Sequence, residues 1–400
     1  MDFELKPEQE QLRDMLQRYV RKEYGFDARR KIIASPEGFS REVWKTFAEL
    51  GLTGIGIPEE HGGLGGDAVD TLVVMESLGT GLVVEPYVAT VVLGAGLVRD
   101  AGSAAQKAAI LPAVAGGEML LALAHLEPGG RFEIDRVATT ARRSGPGYVL
   151  KGSKAVVLGG EAADKLIVSA RISPSPLGEG RGEGLSLFVV DARAEGLSRK
   201  GYSTRDGQRA ADLTLDDVAV DAAALLGNEG EGLAHVERAI DAAIAALCAE
   251  AVGCMDALNA QTLEYLKTRK QFGVAIGTFQ ALKHRMADMF IAAAQARSMA
   301  YLAVLRAGDA DRARRQRAIC AAKALVGKSA RTVGHGAVQL HGGMGVVDEL
   351  IVSHYFKRLT AINTTFGDAD HHLARYSDLL AAEEEVAEAA PKAMREVAAE

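Results

Sequence analysis

The chain has 400 residues, of which 48% are apolar and 25% are charged, and its formal net charge is -7. That length allows two or three domains around a sizeable core, and the composition is that of a globular protein. The acidic balance argues against a dedicated nucleic-acid binder, whose surface is basic.

The N-terminal sequence MDFELKPEQEQLRD is charged from the start, so we expect no signal peptide. The longest apolar run, LVVEPYVATVVLGAGLV, is interrupted by Glu85 and Pro86 and is short for a membrane span. Cys248, Cys254 and Cys320 show neither CxxC nor zinc spacing, and we expect them to be small buried hydrophobes. These features predict a cytoplasmic protein without a membrane span.

Residues 1–117 are predicted to form an N-terminal α-helical domain. Apolar residues recur there at helical spacing in two stretches, Leu12, Met15, Leu16 and Tyr19 in the first and Val43, Phe47 and Leu50 in the second. The glycines of GIPEEHGGLGG mark a loop between helices.

Residues 118–226 are predicted to form a middle β domain, because short β-rich runs such as DKLIVSARI and LSLFVVDA are separated by turn residues. Within this domain, Ser173–Gly184 (SPSPLGEGRGEG) is charged and of low complexity. We interpret it as a flexible hairpin insertion and not as a site.

The helical period returns in residues 227–380, which are predicted to form a C-terminal bundle of long helices. It shows in two apolar stripes, Leu233, Val236, Ile240, Ile244 and Leu247, and Leu282, Met286, Met289, Phe290 and Ala293. Such stripes are usually core, and broad apolar faces also favour oligomer contacts. The run DRARRQR is interpreted as a solvated helix face, and residues 381–400 as a charged tail that is helical or disordered.

Two stretches of the bundle combine unusual residues. In Glu264–Met289 (EYLKTRKQFGVAIGTFQALKHRMADM), a long helix should end in basic residues, break at Phe272 and Gly273, and restart. Such a break suits phosphate binding through a guanidinium and free backbone amides, although a simple helix–turn–helix is the commoner meaning of the pattern. In Ala337–Leu350 (AVQLHGGMGVVDEL), glycines allow a ligand to approach the backbone, which alone is weak evidence.

Together, in this order and spacing, the two stretches resemble the acyl-CoA dehydrogenase family, flavoenzymes of fatty-acid β-oxidation that form a double bond between Cα and Cβ of an acyl-CoA thioester. The helical–β–helical order and the loop GIPEEHGGLGG extend the resemblance over nearly the whole chain. It implies a mostly α fold with an N-terminal helical domain, a central β-barrel-like domain and a C-terminal four-helix bundle, assembled as a dimer or tetramer. The stretches CAEAVG, YLKTRKQFG and HYFKRLTAINTTFGDADHHLAR most resemble the small-subunit branch of the pimeloyl-CoA dehydrogenases.

The resemblance also implies FAD as the cofactor, with its ADP half reaching across to a neighbouring subunit. In the family, motifs like RKQFG and QLHGG supply those cross-subunit contacts. Carried over by motif, the contacts fall on Arg269, Lys270, Gln271, Phe272, Phe279, Gln280, Gln339, Leu340, His341, Gly342 and Gly343.

The residues that contact the flavin ring in the family are mostly missing. Glu127 and Pro128 match the family's TEP segment, but its threonine is Leu126 and the AGSD that follows is absent. Lys154 matches the family's K-x-WITN segment, whereas Val156 stands where the family has the tryptophan that covers the ring.

The catalytic base is missing as well. The reaction needs a carboxylate that takes the Cα proton, but the two family positions for that glutamate carry Phe366 and Ala243. Asp368 is a weak substitute, since an aspartate after glycine in a turn often caps the next helix. Glu250 lies about 10 Å along the helix from Ala243 and Asp241 about 200° around it, so neither is expected to replace the glutamate.

His371 and His372 are adjacent and would point about 100° apart on a helix, so they are not expected to bind one metal ion. We expect both to be structural.

Three interpretations remain. The first is a base-lacking subunit of a hetero-oligomer, which supplies cross-subunit contacts to a flavin held by a related larger subunit. The second is a complete homomeric dehydrogenase that uses Asp368, and the third is a non-catalytic scaffold or acyl-CoA binder. The first is favoured because the ring-contact residues and the base are missing together, while the cross-subunit motifs are present. The resemblance implies a pimeloyl-CoA-like or other medium acyl-CoA substrate and an electron-transfer flavoprotein as electron acceptor.

Overall fold

The structure is a computed structural model that describes residues 5–172 and 184–397, with side chains as far as residue 383. The predicted hairpin insertion, residues 173–184, lies outside the described residues except for Gly184. No helix in the described part of the chain combines the length and apolar character needed to cross a membrane.

The N-terminal part is helical. Its helices are α1 (Pro7–Glu23), α2 (Phe26–Ala34), α3 (Arg41–Glu49), α4 (Ala68–Gly81), a π-helix (Val88–Ala95), α5 (Gly96–Ala101) and α6 (Ala104–Ala115). Side-chain caps define several helix starts, because they satisfy backbone N–H groups that have no partner within the helix. Ser40 accepts from the N–H of Val43 at α3, and Ser103 accepts from that of Gln106 at α6.

The middle part is a β sheet. Its strands are β1 (Leu121–Ala124), β2 (Thr140–Ser144), β3 (Gly147–Leu158), β4 (Lys165–Ile172), β5 (Leu185–Asp191), β6 (Leu197–Ser203), β7 (Arg209–Val220) and β8 (Leu225–Leu226). They lie in the order β6-β7-β3-β2-β4-β5-β8, with β1 paired to β4. The β3–β7 register shifts between Lys154 and Val157, and at this bulge Val156 has φ 52°. A β-branched residue seldom adopts that conformation, so the bulge is a strained point of the sheet.

The C-terminal part is a helical bundle with one short hairpin. Its elements are α7 (Gly232–Thr268), β9 (Lys270–Gln271), β10 (Val274–Ala275), α8 (Gln280–Ala307), α9 (Arg312–His341), α10 (Ile351–Thr364) and α11 (Ala369–Val397). The helix break predicted at Phe272 and Gly273 is confirmed, and the backbone of the charged tail is helical as far as Val397. All three cysteines are buried, as predicted.

One residue of the predicted core stripes lies outside the core. Phe290 is 56% exposed, whereas its neighbour Met289 on α8 is 1% exposed. Consecutive residues of a helix point about 100° apart, so the stripe through Met289 does not include Phe290.

The Arg-rich run is not a fully solvated face, so that prediction was wrong. The Arg315 side chain is 2% exposed, and its Nε donates to Oδ2 of Asp241 at 2.8 Å. Arg312 donates from Nε and Nη2 to the two carboxylate oxygens of Glu237 at 2.8 and 2.6 Å. Both acids lie on α7, and the charge pattern of α9 alone does not reveal them.

A buried charged cluster joins the three parts of the chain. Arg358 on α10 donates to both carboxylate oxygens of Glu250 on α7 at 2.5 and 2.6 Å, and to Oδ2 of Asp206, between β6 and β7, at 2.7 Å. Arg29 on α2 donates to the carbonyls of Leu82 at 2.6 Å and Asp206 at 2.8 Å. We call Arg29, Asp206, Glu250 and Arg358 the interdomain cluster, because each part contributes to it.

Candidate functional site

The two unusual stretches of the bundle meet at one edge. The Tyr265 ring, near the end of α7, stacks on the His341 ring, at the end of α9, with centroids 4.3 Å apart. The hairpin β9–β10 follows α7 directly, and the amide of Ile276 donates to the carbonyl of Arg269 at 2.8 Å. The RKQFG and QLHGG segments therefore lie side by side, and we call this surface the bundle edge.

Most of the residues predicted to contact the cofactor are exposed at the bundle edge. The exposed members are Arg269, Lys270, Gln271, Phe272, Phe279, Gln280, Gln339, Gly342 and Gly343. The Phe272 side chain is 91% exposed, and a Cβ built on Gly342 or Gly343 meets no neighbouring atom within 4 Å. The backbone at the two glycines is thus open to a ligand.

The other two predicted contacts have buried side chains. Leu340 is 6% exposed and His341 is 5% exposed. His341 Nδ1 also lies 2.9 Å from the carbonyl oxygen of Ala337. Contacts between these two residues and a cofactor would therefore involve their backbone.

Two adjoining cavities lie between the β sheet and the bundle. One, of about 250 Å³, is lined by Phe366, and the other, of about 240 Å³, is lined by Glu85. We call them the Phe366 cavity and the Glu85 cavity. They share four lining residues, Val156, Leu158, Thr364 and Thr365.

The turn between α10 and α11 carries Phe366 and is fixed by buried side chains. Lys323, with no exposed surface, donates from Nζ to the carbonyls of Ile362, Asn363 and Thr365 at 2.5, 3.0 and 3.0 Å. His372 Nε2 lies 2.9 Å from the Phe366 carbonyl oxygen. Burial lowers the pKa of Lys323 to about 8 and that of His372 to about 3.

Across the cavity from this turn lies His125, which directly follows β1. Its ring centroid is 5.9 Å from that of Phe366. Neither ring nitrogen has a hydrogen-bond partner among the described residues. Burial, and after it the charge of Lys154, lowers the pKa of His125 to about 4, so the imidazole is neutral at pH 7. Sequence reasoning missed His125, although a lone histidine in the apolar run LALAHL is a visible signal.

Two carboxylates line the Phe366 cavity, and both are paired with arginines. These are Glu237, bound by Arg312, and Asp241, bound by Arg315. Burial raises the pKa of Asp241, although the Arg315 guanidinium opposes the shift.

Asp241 was expected to face away from the site because it lies about 200° around α7 from Ala243, but Asp241 lines the Phe366 cavity and Ala243 does not. The cavity contacts α7 through Glu237, Ile240, Asp241 and Ile244. Their spacing defines one helix face. Ala243, from which the angle of Asp241 around α7 was measured, is fully buried and does not belong to that face.

Asp368 lines neither cavity. Its Oδ1 accepts from the N–H of His371 at 2.8 Å, which confirms the predicted cap of α11. The rings of His371 and His372 are nearly perpendicular, with an interplanar angle of 89°. No group of side chains in the described ranges could hold a metal ion.

Glu127 and Lys154, which the resemblance predicts to belong to the flavin-ring segments, form a buried ion pair. Lys154 Nζ donates to Oε1 of Glu127 at 2.7 Å and to Oγ of Ser169 at 3.0 Å. Glu127 also accepts from the hydroxyl of Thr139 at 2.6 Å. Burial alone would raise the pKa of Glu127, but these hydrogen bonds, chiefly that of Lys154, lower it. The pair thus fixes the chain after β1 against β3.

The fit of this chain to FAD differs between the two regions. The bundle edge offers a guanidinium and open backbone amides, which fit a pyrophosphate. In the Phe366 cavity, the positions at which the resemblance predicts ring contacts carry Leu126 and Val156, whose side chains cannot form hydrogen bonds. The described residues therefore fit the ADP half of the cofactor better than its ring.

Three family models match the chain in sequence. They are the N-terminal domain of acyl-CoA dehydrogenase over residues 6–118, its middle domain over residues 122–218 and its C-terminal domain over residues 230–378. Among curated relatives, the probable acyl-CoA dehydrogenase YngJ of Bacillus subtilis (strain 168) is 32% identical over 360 residues, which are 87% of this chain and 91% of that protein.

Solved structures share the same fold. A variant of the Tcur3481-Tcur3483 steroid ACAD is 31% identical with a TM-score of 0.84, over 94% of this chain and 99% of that chain. A chain of the ChsE4-ChsE5 complex from Mycobacterium tuberculosis is 25% identical with a TM-score of 0.84, over 95% of this chain and 99% of that chain. The predicted order of helical, β and helical domains is confirmed. This chain therefore belongs to the acyl-CoA dehydrogenase family, FAD-dependent oxidoreductases that act on CH–CH bonds.

Proposed function

We propose that this chain is the base-lacking subunit of a hetero-oligomeric, FAD-dependent acyl-CoA dehydrogenase. The observation that carries the proposal is the composition of the Phe366 cavity. Phe366 occupies the family's base position, and the two carboxylates that line the cavity are paired with arginines. A bound guanidinium lowers the basicity of a carboxylate, and holding the carboxylate in an ion pair restricts its approach to the proton that a general base must remove. A related larger subunit would supply that base.

The contribution of this chain would be the bundle edge. FAD, when bound, supplies the hydride acceptor of the reaction. Arg269 would bind the pyrophosphate through two N–H groups, and the amides of Gly342 and Gly343 would approach it closely. The exposed Phe272 ring would pack against the adenine. This division of roles fits the preserved bundle edge and the altered Phe366 cavity.

Two similarities support a partner of the same family. The names Tcur3481-Tcur3483 and ChsE4-ChsE5 each join two proteins, and chains from both structures match this chain over almost its whole length. The resemblance to the small-subunit branch of the pimeloyl-CoA dehydrogenases also favours a partner of the same family. It also favours a medium acyl-CoA substrate, and an electron-transfer flavoprotein as electron acceptor.

The other two interpretations are less well supported. A homomeric dehydrogenase would need Asp368 as its base, but Asp368 caps α11 and lines neither cavity. A scaffold without cofactor contacts would have no use for the exposed guanidinium and aromatic ring at the bundle edge.

The test is substrate-dependent bleaching of flavin absorbance, measured with octanoyl-CoA for each chain alone and for the co-expressed pair. We expect no bleaching with this chain alone and rapid bleaching with the pair, at about one FAD per two chains. Replacing the partner's catalytic glutamate by glutamine should slow bleaching by about 10²–10⁴-fold. Asp368→Asn and Asp241→Asn in this chain should leave most of the activity. If this chain alone bleaches rapidly and Asp368→Asn stops it, the homomeric interpretation is correct and the proposal fails.

A further inference from the structure

Glu85 is a buried acid with an unused oxygen. The residue lies between α4 and the π-helix, and 4% of it is exposed. Its Oε1 accepts from the N–H of Ser40 at 3.1 Å, while Oε2 has no hydrogen-bond partner among the described residues. Burial raises the pKa of Glu85, although the nearby Tyr24 hydroxyl and the N–H of Ser40 oppose the shift. A protonated Glu85 can donate through an O–H group, which an ionised carboxylate cannot do.

Both arginines that line the Glu85 cavity are paired within the protein. Arg358 binds Glu250 and Asp206 in the interdomain cluster. Arg209 donates from Nε to Oε2 of Glu161 at 2.8 Å and from Nη1 to Oγ of Ser203 at 2.9 Å. A carboxylate that entered this cavity would meet carboxyl groups and would have to displace one of these ion pairs. Burying an unpaired charge is strongly unfavourable, as is breaking a buried ion pair.

The cavity also provides an apolar surface for a chain. Its apolar lining includes Phe39, Met75, Leu78, Val83, Val88 and Leu247. It adjoins the Phe366 cavity at Val156, Leu158, Thr364 and Thr365. Because the two cavities adjoin, an acyl chain whose thioester end lay in the Phe366 cavity would extend into the Glu85 cavity. The proposed function places the reaction at the partner's base, so this chain would bind that acyl group without reacting with it. This step rests on the part of the proposed function that assigns acyl-CoA as the ligand.

We infer that Glu85 selects acyl groups whose far end carries a neutral oxygen, as a hydroxyl or a ketone, over acyl groups that end in a carboxylate. When Glu85 is protonated, its O–H can donate to that oxygen, and a hydroxyl can donate in return to a carboxyl oxygen of Glu85. The inference narrows the medium acyl-CoA class and disfavours a dicarboxylate of the pimeloyl kind.

The test measures binding by isothermal titration calorimetry to the full chain in the assembly in which it purifies. The probes are three eight-carbon thioesters, octanoyl-CoA, 8-hydroxyoctanoyl-CoA and suberoyl-CoA, with the six- and ten-carbon counterparts to vary the depth reached. We expect the hydroxyacyl-CoA to bind about tenfold more tightly than the plain acyl-CoA, which is ~1.4 kcal/mol, and the dicarboxylate to bind most weakly. Substitutions of Glu85 change only this chain. A difference in probe affinity between the wild-type and the substituted assembly therefore reports on the Glu85 cavity, even when a partner binds the same probes.

Glu85→Leu should abolish the preference for the hydroxyacyl-CoA, and Glu85→Gln should retain part of it, because the amide is neutral and still donates. Glu60→Leu, at an exposed glutamate, is the matched control. Thermal unfolding checks each variant, and the comparison of probes on the wild-type protein stands even if Glu85→Leu does not fold. Equal affinities for octanoyl- and hydroxyoctanoyl-CoA at every length, tightest binding of the dicarboxylate, or a preference that survives Glu85→Leu would overturn the inference and leave the proposed function intact. If no acyl-CoA binds at all, the proposed function fails as well.

Discussion

The turn at Phe366 is held through its backbone and not through the Phe366 side chain. Phe366 has φ 58°, a conformation that bulky residues seldom adopt. Its carbonyl lies within hydrogen-bonding distance of His372, and Lys323 binds the carbonyl just before it. These contacts hold the backbone of the turn whatever side chain stands at position 366. The shape of the turn therefore does not depend on the residue type at position 366.

Arg269 is the residue whose loss should most weaken FAD binding. A hydrogen bond to a charged group contributes about 1.5–3 kcal/mol, so Arg269→Ala should weaken FAD retention roughly ten- to a hundredfold. Arg269→Lys should restore it only in part, because lysine lacks the planar fork. Fluorescence titration of the apoprotein assembly with FAD measures the effect, with exposed Arg18→Ala as the control. Unchanged affinity in Arg269→Ala would remove Arg269 from the cofactor site.

His125 should make the protein sensitive to acid. Its pKa is lowered to about 4 in the folded state, whereas in the unfolded chain it is about 6.5. Between these values the unfolded chain binds a proton that the folded chain does not, so stability present above pH 6.5 is lost as the pH falls towards 4. The loss is about 1.4 kcal/mol per pH unit. In His125→Leu, the free energy of unfolding in urea should fall by ~2 kcal/mol less between pH 6.5 and pH 4.5 than in the wild type.

The same substitution at exposed His284 controls for the general loss of a histidine. An identical pH dependence in wild type and His125→Leu would show that folding does not lower the pKa of His125.

Single residues were the least predictable level of the molecule. His125 and Glu85 are conspicuous in the sequence as lone polar residues in apolar runs, but a run does not show whether the polar atom finds a partner. The pairing of Arg315 with Asp241 joins residues 74 positions apart, and no local pattern reveals such a pair. Asp241 was misplaced because the angle around α7 was measured from Ala243, which does not face the cavity.

Among the elements, the α10–α11 connection depends most on one side chain. Lys323 satisfies the last carbonyls of α10, which no helix N–H reaches. Lys323→Met keeps the approximate length of the side chain but leaves these carbonyls without a donor. It should lower the free energy of unfolding by about 3 kcal/mol, measured by urea denaturation. Lys328→Met, at an exposed lysine on the same helix, should change it by less than about 0.5 kcal/mol. Equal effects of the two substitutions would show that the ammonium contributes nothing special to the turn.

Elements were predictable where one face of them is buried. The stripe on α7 and the β-rich runs follow the periods of helix and strand, and the helix break at Phe272 and Gly273 follows from its turn residues. Phe290 was misassigned because it lies beside the α8 stripe. At such a position, the exposure of an apolar side chain depends on whether another subunit packs against it. The bulge that exposes Val156 has no signal in the sequence, since valine is a typical strand residue.

For the molecule as a whole, the exposed apolar residues of the bundle predict assembly. Phe272, Phe290, Ile291, Met344 and Val346 are 91, 56, 56, 53 and 65% exposed, and large apolar patches mark interfaces. We expect a dimer or tetramer in sedimentation velocity at micromolar concentration. Ile291→Asp should shift it to smaller species, and Leu64→Asp, in an N-terminal loop, should not. A folded wild-type monomer would contradict this prediction.

The interdomain cluster limits which parts of this protein can be exchanged with those of other chains. Arg358 lies 108 residues from Glu250 and 152 from Asp206 along the sequence, so a graft of the β domain alone would carry away one of its two acidic partners. Leaving a buried arginine partly unpaired costs about 3–5 kcal/mol, a large part of the stability of most domains. A chimera with a relative should therefore fold only if the incoming β domain has an acid at the position of Asp206. A successful graft without that acid would show that the three domains are interchangeable modules.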